Sequence, residues 1–250
     1  MHIDFHTHAN LAKKITVSLE DFKEKIMEAK ASGLDALAIT EHFNSTNIIE
    51  LYEVLKTAFP YKEDYYLIEG MKVFCGLEID VQENGHFLII GSRDDILTIA
   101  RILLPFQDEQ AFIPVKDLIT LLEDFNVLKI GAHPLRESTP WEHHDISVLK
   151  QFDAFDLNGK DLYTYGLGME ELVRAFASPH KVPVVGGSDT HHHMQYGSII
   201  NEFPECSTIE ELKQTIRNGT YEIKISPCLN IKVKAAKQIK KLIKEETLSS

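Results

Sequence analysis

Short apolar runs alternate with amphipathic stretches along this chain, and that rhythm predicts a β-α-β-α order. A strand is expected at residues 3–5, followed by a helix over 18–32. There Leu19, Phe22, Ile26 and Ala29 form one stripe at helical spacing, with Ser18 as N-cap and Gly33 as the stop. Residues 35–40 read as a buried strand and 48–59 as a second helix ended by Pro60. A third strand at 72–77 precedes a hairpin over 79–90 whose turn is Glu83-Asn84-Gly85. Helices are expected at 94–104 and, after Pro114, at 115–125, where Leu118, Leu121, Leu122 and Phe125 supply the apolar face. Strands at 129–132, 154–157 and 182–185 alternate with helices near 146–152 and 169–178. A helix over 208–218, stopped by Gly219, leads to a strand at 221–225. The total is about seven strands in βα alternation.

No low-complexity linker or fixed-period repeat divides the chain. Near its end Ile231, Ala235, Ile239, Leu242 and Ile243 recur at helical spacing among lysines, which predicts an amphipathic helix with a solvated basic face. Residues 1–230 are therefore expected to form one domain, with 231–250 a basic helix or tail belonging to it.

Charge and cysteine content narrow the class. The 250 residues carry a formal net charge of -12, against a protein that wraps nucleic acid by neutralising many phosphates. The exception is local: residues 232–246 hold six lysines and two glutamates, a net of +4 that leaves -16 for the rest. Cys75, Cys206 and Cys228 are far apart and show no Cys-x-x-Cys spacing, so neither a disulfide framework nor a thiolate zinc site is indicated. No segment approaches the roughly 20 apolar residues of a membrane span. A cytoplasmic protein without membrane contact is expected.

Candidate chemistry sits where the predicted strands end. His6-Thr7-His8 follows the first strand, and on an extended backbone alternate side chains share a face, so both imidazoles can reach one point. Thr40-Glu41-His42 follows the second, Gly76-Leu77-Glu78 the third, and Gly85-His86-Phe87 lies on the hairpin. Ala132-His133-Pro134 and Gly187-Ser188-Asp189-Thr190-His191 close later strands. A lone histidine reads best as a core residue with a satisfied hydrogen bond. Six such positions at one end of a sheet read as a metal centre of imidazole and carboxylate, suited to zinc, manganese or iron.

In order, spacing and strand context these motifs closely resemble those of the polymerase and histidinol phosphatase (PHP) family of metal-dependent phosphoesterases. The resemblance spans residues 1 to about 195 and implies a distorted (β/α)7 TIM-like barrel. It implies that His6, His8, Glu78 and Asp189 bind one metal, that Glu78 bridges to a second held by His133 and His86, and that His42 and His191 face a third. Two or three divalent ions are thus expected, with Glu78, Asp189 and His191 as catalytic residues. A carboxylate has two oxygens and can bridge cations about 3.5 to 4 Å apart, whereas an imidazole cannot. Hydroxide from metal-activated water would attack phosphorus in line.

The chain departs from the family pattern just beyond His8. Three-metal members carry an Asp or His about six residues past the His-x-His motif, where this chain has Asn10-Leu11-Ala12-Lys13-Lys14, and a protonated lysine has no lone pair for a metal. Lys13 or Lys14 could supply positive charge in that ion's place and hold substrate phosphate; the ion could be weak or absent; or both lysines could lie on a solvated loop. Arg136 could bind phosphate bidentately and Asn158 could touch substrate. His192 and His193 are expected to support the site from outside or face solvent, and His143 and His144 have no assigned role.

The function expected is hydrolysis of a small phosphorylated metabolite, by a phosphatase or phosphodiesterase. The alternatives are an amidohydrolase-type metal hydrolase, disfavoured because Glu78 fills the place of its bridging lysine, and a non-catalytic metal-binding regulatory module.

Overall fold

A computed structural model describes residues 1–9, 18–45 and 47–249. Lys13 and Lys14 lie outside the described residues. The elements run β1 (His2–Thr7), α1 (Leu19–Ala31), β2 (Ala36–His42), α2 (Ile48–Ala58), β3 (Tyr61–Lys62), β4 (Tyr65–Ile68) and β5 (Met71–Val81). Next come β6 (Gly85–Gly91), α3 (Arg93–Ile102), α4 (Val115–Leu122), β7 (Val127–Gly131), α5 (Ile146–Leu149) and β8 (Ala154–Asn158). The chain continues through α6 (Gly159–Tyr165), α7 (Met169–Ala177), β9 (Val184–Gly187), β10 (Ile199–Glu202), α8 (Ile209–Asn218), β11 (Glu222–Ile225) and α9 (Leu229–Ser249).

The strands β1-β2-β5-β6-β7-β8-β9 form the wall of a distorted barrel, all in one direction except β6, which is antiparallel to β5 and β7. A parallel bridge between Thr7 and Thr190 brings the segment after β9 beside the end of β1, and Asp189 donates its amide to the His6 carbonyl at 2.8 Å. β10 and β11 extend the sheet outward from β1 by antiparallel pairing. Ile3, Ala36, Ala38, Phe74, Leu88, Ile90 and Ile130 share one buried cluster with Ile209, Leu212 and Ile216 of α8. On the opposite faces of the same strands, Leu37, Ile39, Val73, Leu77 and Ile89 pack with residues of the surrounding helices, among them Phe22, Ile26, Leu55 and Leu118.

One irregularity decides where β1 aims. Asp4 pairs with Leu37 and Thr7 with Ile39, so three steps on β1 match two on β2. The extra residue is a bulge, and it puts Ile3 and His6 on the same side of the strand. Strict alternation would have placed them on opposite faces.

Several expectations change. The strand expected at 72–77 and the first arm of the hairpin are one strand, β5, because its parallel partner β2 ends at His42, opposite Glu78, while antiparallel β6 pairs onward to Val81. β3, β4, β10 and α6 were not expected; the first three are short and α6 begins on Gly159, a weak helix former. The helix expected over 146–152 is a single turn, since Phe152 and Ala154 turn toward the core. Ser18 does cap α1, in a capping box with Asp21, and Gly33 follows at φ +91. Among the described side chains of α9 the buried positions are Leu229, Val233 and Ala236, none of them on the expected stripe, whereas Ile231 and Leu242 are exposed: the helix begins earlier than expected and packs on a different stripe. Among the described residues no helix is long and apolar enough to cross a membrane.

Candidate metal centre

Parallel strands deliver their C-terminal ends to one rim, and five loops there meet. β1 ends in His6 and His8, β2 in His42, β7 leads to His133, and β9 leads to Asp189 and His191. His86 reaches the same rim by the opposite route: β6 runs backwards, so its first residues lie at the rim, opposite Asp80 of β5. Glu78 stands where β5 stops pairing with β2. His133 and Asp189 sit at φ 31 and 55, a left-handed backbone that costs on the order of 1–3 kcal/mol and is held by the surrounding barrel.

Glu78 is the hub. Its Oε1 lies 3.5 Å from His6 Nε2, 2.7 Å from His86 Nδ1 and 3.4 Å from His133 Nε2. Its Oε2 lies 3.4 Å from His8 Nε2 and 3.1 Å from His42 Nδ1. The two oxygens thus face different sets of imidazoles, with His6 on the side of one and His8 on the side of the other. Among the described residues three groups of ligand atoms are close enough to hold an ion: His6, His8 and Asp189; Glu78, His86 and His133; and His8, His42 and His191. Glu78, expected in both of the first two groups, falls only with His86 and His133, and His8 joins His42 and His191 in the third.

The separations fit shared ions. Donor atoms each about 2.1 Å from a tetrahedral ion stand about 3.4 Å apart. Asp189 Oδ1 is 3.4 Å from His8 Nε2 and 3.9 Å from His6 Nε2. His6 Nε2 and His8 Nε2 are buried and make no hydrogen bond among the described residues. Two unsatisfied imidazole nitrogens aimed at buried carboxylates would be costly without a cation between them.

The far nitrogens are held. Asp156 Oδ2 lies 2.9 Å from His6 Nδ1, Asp80 Oδ1 lies 2.8 Å from His86 Nε2, and Thr139 Oγ1 lies 3.1 Å from His133 Nδ1. Partners of this kind fix which nitrogen faces the metal. Burial alone would raise the Glu78 carboxyl, but His42, His86, His6 and the hydrogen bond with His133 hold it well below the usual carboxylate range. For Asp189, burial is likewise outweighed by Lys160, His6, His8 and Arg136. Burial, reinforced by Arg136, pushes His133 well down, and burial with Lys160 and His8 does the same for His191, so both imidazoles stay neutral and able to donate a lone pair. His86 goes the other way: burial would lower it, yet Glu78 and Asp80 raise it to about 9.

Arg136 and Asn158 both reach the rim, but in contact with protein. Arg136 donates to Asp161 at 2.8 Å, Asn158 at 3.0 Å and Asp189 at 3.1 Å. Asn158 caps α6 by accepting the Lys160 amide and donates to Asp156 at 2.9 Å. His192 accepts the amide of Met194, His143 lies 2.5 Å from the Glu83 carbonyl, and His144 stacks on Trp141; none of them is in a ligand group.

Two residues central to the site escaped the sequence reading. Asp156 could have been noticed as a carboxylate inside an otherwise apolar strand, where an unpaired charge is expensive. Lys160 sets its Nζ 2.7 Å from Asp189 Oδ1 and 3.2 Å from His191 Nδ1. A lysine beside the third ligand group was the role considered for Lys13 and Lys14, and Lys160 places a charge there. Nothing in its local sequence announces this, because the contact spans about thirty residues and two elements.

The family model for the PHP domain matches residues 4–153. A search of curated proteins found no match. Among solved structures, PsfC from Pseudomonas syringae PB-5123 superposes with a TM-score of 0.79 at 20% identity, over 97% of this chain and 98% of that one. The lesion-specific endonuclease PfuEndoQ from Pyrococcus furiosus gives 0.64 at 19% identity over 89% of this chain, which spans only 58% of the endonuclease. An amidohydrolase from Chromobacterium violaceum, solved with sulfate and no metal, gives 0.51 at 13% identity over 89% and 97% of the two chains. At these identities the likeness is one of fold.

Proposed function

The chain belongs to the PHP domain family, and from that premise we propose that it is a metal-dependent phosphoesterase hydrolysing a small phosphorylated metabolite. The observation that carries the proposal is the division of labour at Glu78, whose two oxygens face separate sets of imidazoles. Ions bound there would polarise the phosphoryl oxygens and lower the pKa of a water toward neutrality, as zinc, manganese or iron can. His6, His8 and Asp189 would hold one ion, Glu78, His86 and His133 a second, and His42 and His191, with His8, a third.

The protein's own part is to position and to balance charge. Asp156, Asp80 and Thr139 orient the imidazoles before any ion arrives. Arg136 and Lys160 neutralise Asp189 from the substrate side, and as an incoming phosphate shares them they would draw it toward the ligand groups. No side-chain nucleophile is required. The bridging place is filled by Glu78 and not by a lysine, which weighs against amide hydrolysis.

A second reading, cleavage of a phosphodiester in DNA, has one observation in its favour, the fold shared with a lesion-specific endonuclease. One experiment addresses both: assay manganese-loaded protein and its Glu78→Gln variant on phosphomonoesters, diesters and a duplex with an abasic site. Turnover of a small ester by the unmodified protein alone supports the proposal. Cleavage confined to DNA replaces it with the second reading, and inertness on every ester rejects both.

A further inference from the structure

Helices α6 and α9 lie side by side next to the metal centre, and the groove between them is cationic. It has a volume of about 570 Å³ and is lined by Tyr163, Thr164, Asn230, Ile231, Lys234 and Lys237. Lys234 and Lys237 are exposed, one turn apart on the helix that carries the chain's local excess of positive charge.

Contacts tie this groove to the reacting end. Lys237 reaches Thr164 Oγ1 at 3.4 Å and stands 4.5 Å over the Tyr163 ring. Thr164 in turn donates to the carbonyl of Lys160 one turn back, at 2.7 Å, and Lys160 Nζ holds Asp189. Lys237 thus touches α6 one turn beyond the backbone of Lys160, whose own side chain runs to Asp189. Burial, together with Lys160 and Arg136, depresses Lys237, while Asp161 opposes them. Asp161 is itself engaged by Arg136.

We propose that the α6–α9 groove is a second anion subsite, in which Lys234 and Lys237 bind a phosphate of the substrate other than the one being hydrolysed. The inference rests on the phosphoesterase reading and sharpens it: the substrate is a small molecule with two phosphates, one at the metal centre and one beyond Lys160. Charge complementarity selects the occupant, since this helix carries a local positive excess on a chain whose formal net charge is -12.

Phosphonates test this without turnover, because their carbon–phosphorus bond is not hydrolysed. Binding to manganese-loaded protein is measured by calorimetry for alkane bisphosphonates with spacers of roughly three to eight carbons and for the matching monophosphonates, since affinity peaks where the spacer matches the span. At the best spacer the bisphosphonate should bind at least about tenfold tighter, and Lys234→Glu/Lys237→Glu should abolish that preference while leaving monophosphonate affinity within about twofold. Equal affinity for the two ligand classes, or a preference that survives the double substitution, overturns the proposal. So does binding that depends on both lysines for an oligonucleotide but for no bisphosphonate. Failure of the phosphoester assays would instead overturn the catalytic reading, which this measurement does not use.

Discussion

Asp156 and His6 meet at the barrel rim with Oδ2 and Nδ1 2.9 Å apart, and both side chains are completely buried. The pair fixes which imidazole nitrogen faces the ligand groups, so Asp156 acts on the metal through His6 without touching it. Replacing Asp156 by Asn should weaken metal binding by about 10- to 100-fold, the range typical of outer partners of metal ligands. Metal titration with a competing chelator measures this; unchanged affinity would show that His6 is oriented by packing alone.

Glycine at 187 keeps that pair in place. A Cβ there would lie 2.5 Å from Asp156 Oδ1 and 2.6 Å from His6 Cβ, closer than real contacts allow. Gly187→Ala should therefore cost about 1–3 kcal/mol of stability and weaken metal binding in parallel with Asp156→Asn. Denaturant unfolding of the metal-free protein, alongside the metal titration, separates the two effects. Full stability with full affinity would mean that the rim yields more readily than its packing suggests.

The metal-free centre should lose stability as pH rises. His86 is raised from 6.5 to about 9 by Glu78 and Asp80, which overcome the lowering by burial, and His6 and His8 are raised in the same direction. A group with a raised folded-state pKa contributes its full stability below the unfolded value and loses it as pH climbs through the folded value. Melting temperature in chelator should therefore fall between pH 6.5 and about 9, and the fall should be shallower in His86→Asn. Metal affinity should rise over the same interval, because the ion displaces protons from these imidazoles. A wild-type melting temperature that stays level across this interval would contradict the assignment.

Lys160 is predicted to oppose an ion at the third group. Its Nζ is 3.2 Å from His191 Nδ1 and, with burial, holds that imidazole neutral. Lys160→Met removes a like charge from hydrogen-bond range of a ligand. Affinity for the weakest-bound metal equivalent should rise by about tenfold or more. Calorimetric titration with manganese reads this directly, and equal or weaker binding of that equivalent would place Lys160 outside the third group's influence.

How much was visible beforehand depends on how local the cause is. The caps of α1 and α8 are short-range chemistry: Ser18 with Asp21, and Thr208 with Glu211, form capping boxes, and both helices lie where the periodicity puts them. The strand ends that carry His6, His8, His42, His133 and Asp189 were legible for the same reason, since apolar runs stop where chemistry begins. β3, β4 and β10 were not, because strands of two to four residues are stabilised by the partners they find and carry too little periodicity of their own. The terminal helix shows the limit from the other side. An amphipathic helix was expected there, but which stripe is buried depends on the docking surface, and Leu229, Val233 and Ala236 pack in place of the expected Ile231 and Leu242.

By itself the sequence determined the inventory of candidate ligands and their place at strand ends, because residue type and strand periodicity are local properties. Tertiary structure alone decided how those ligands are divided. The bulge between Asp4 and Thr7 turns His6 to the same face as Ile3, and it exists only through pairing with β2. The antiparallel course of β6 brings His86 to Glu78. Asp156 and Lys160 reach His6 and Asp189 from the end of β8, over contacts whose sequence separation no periodicity records.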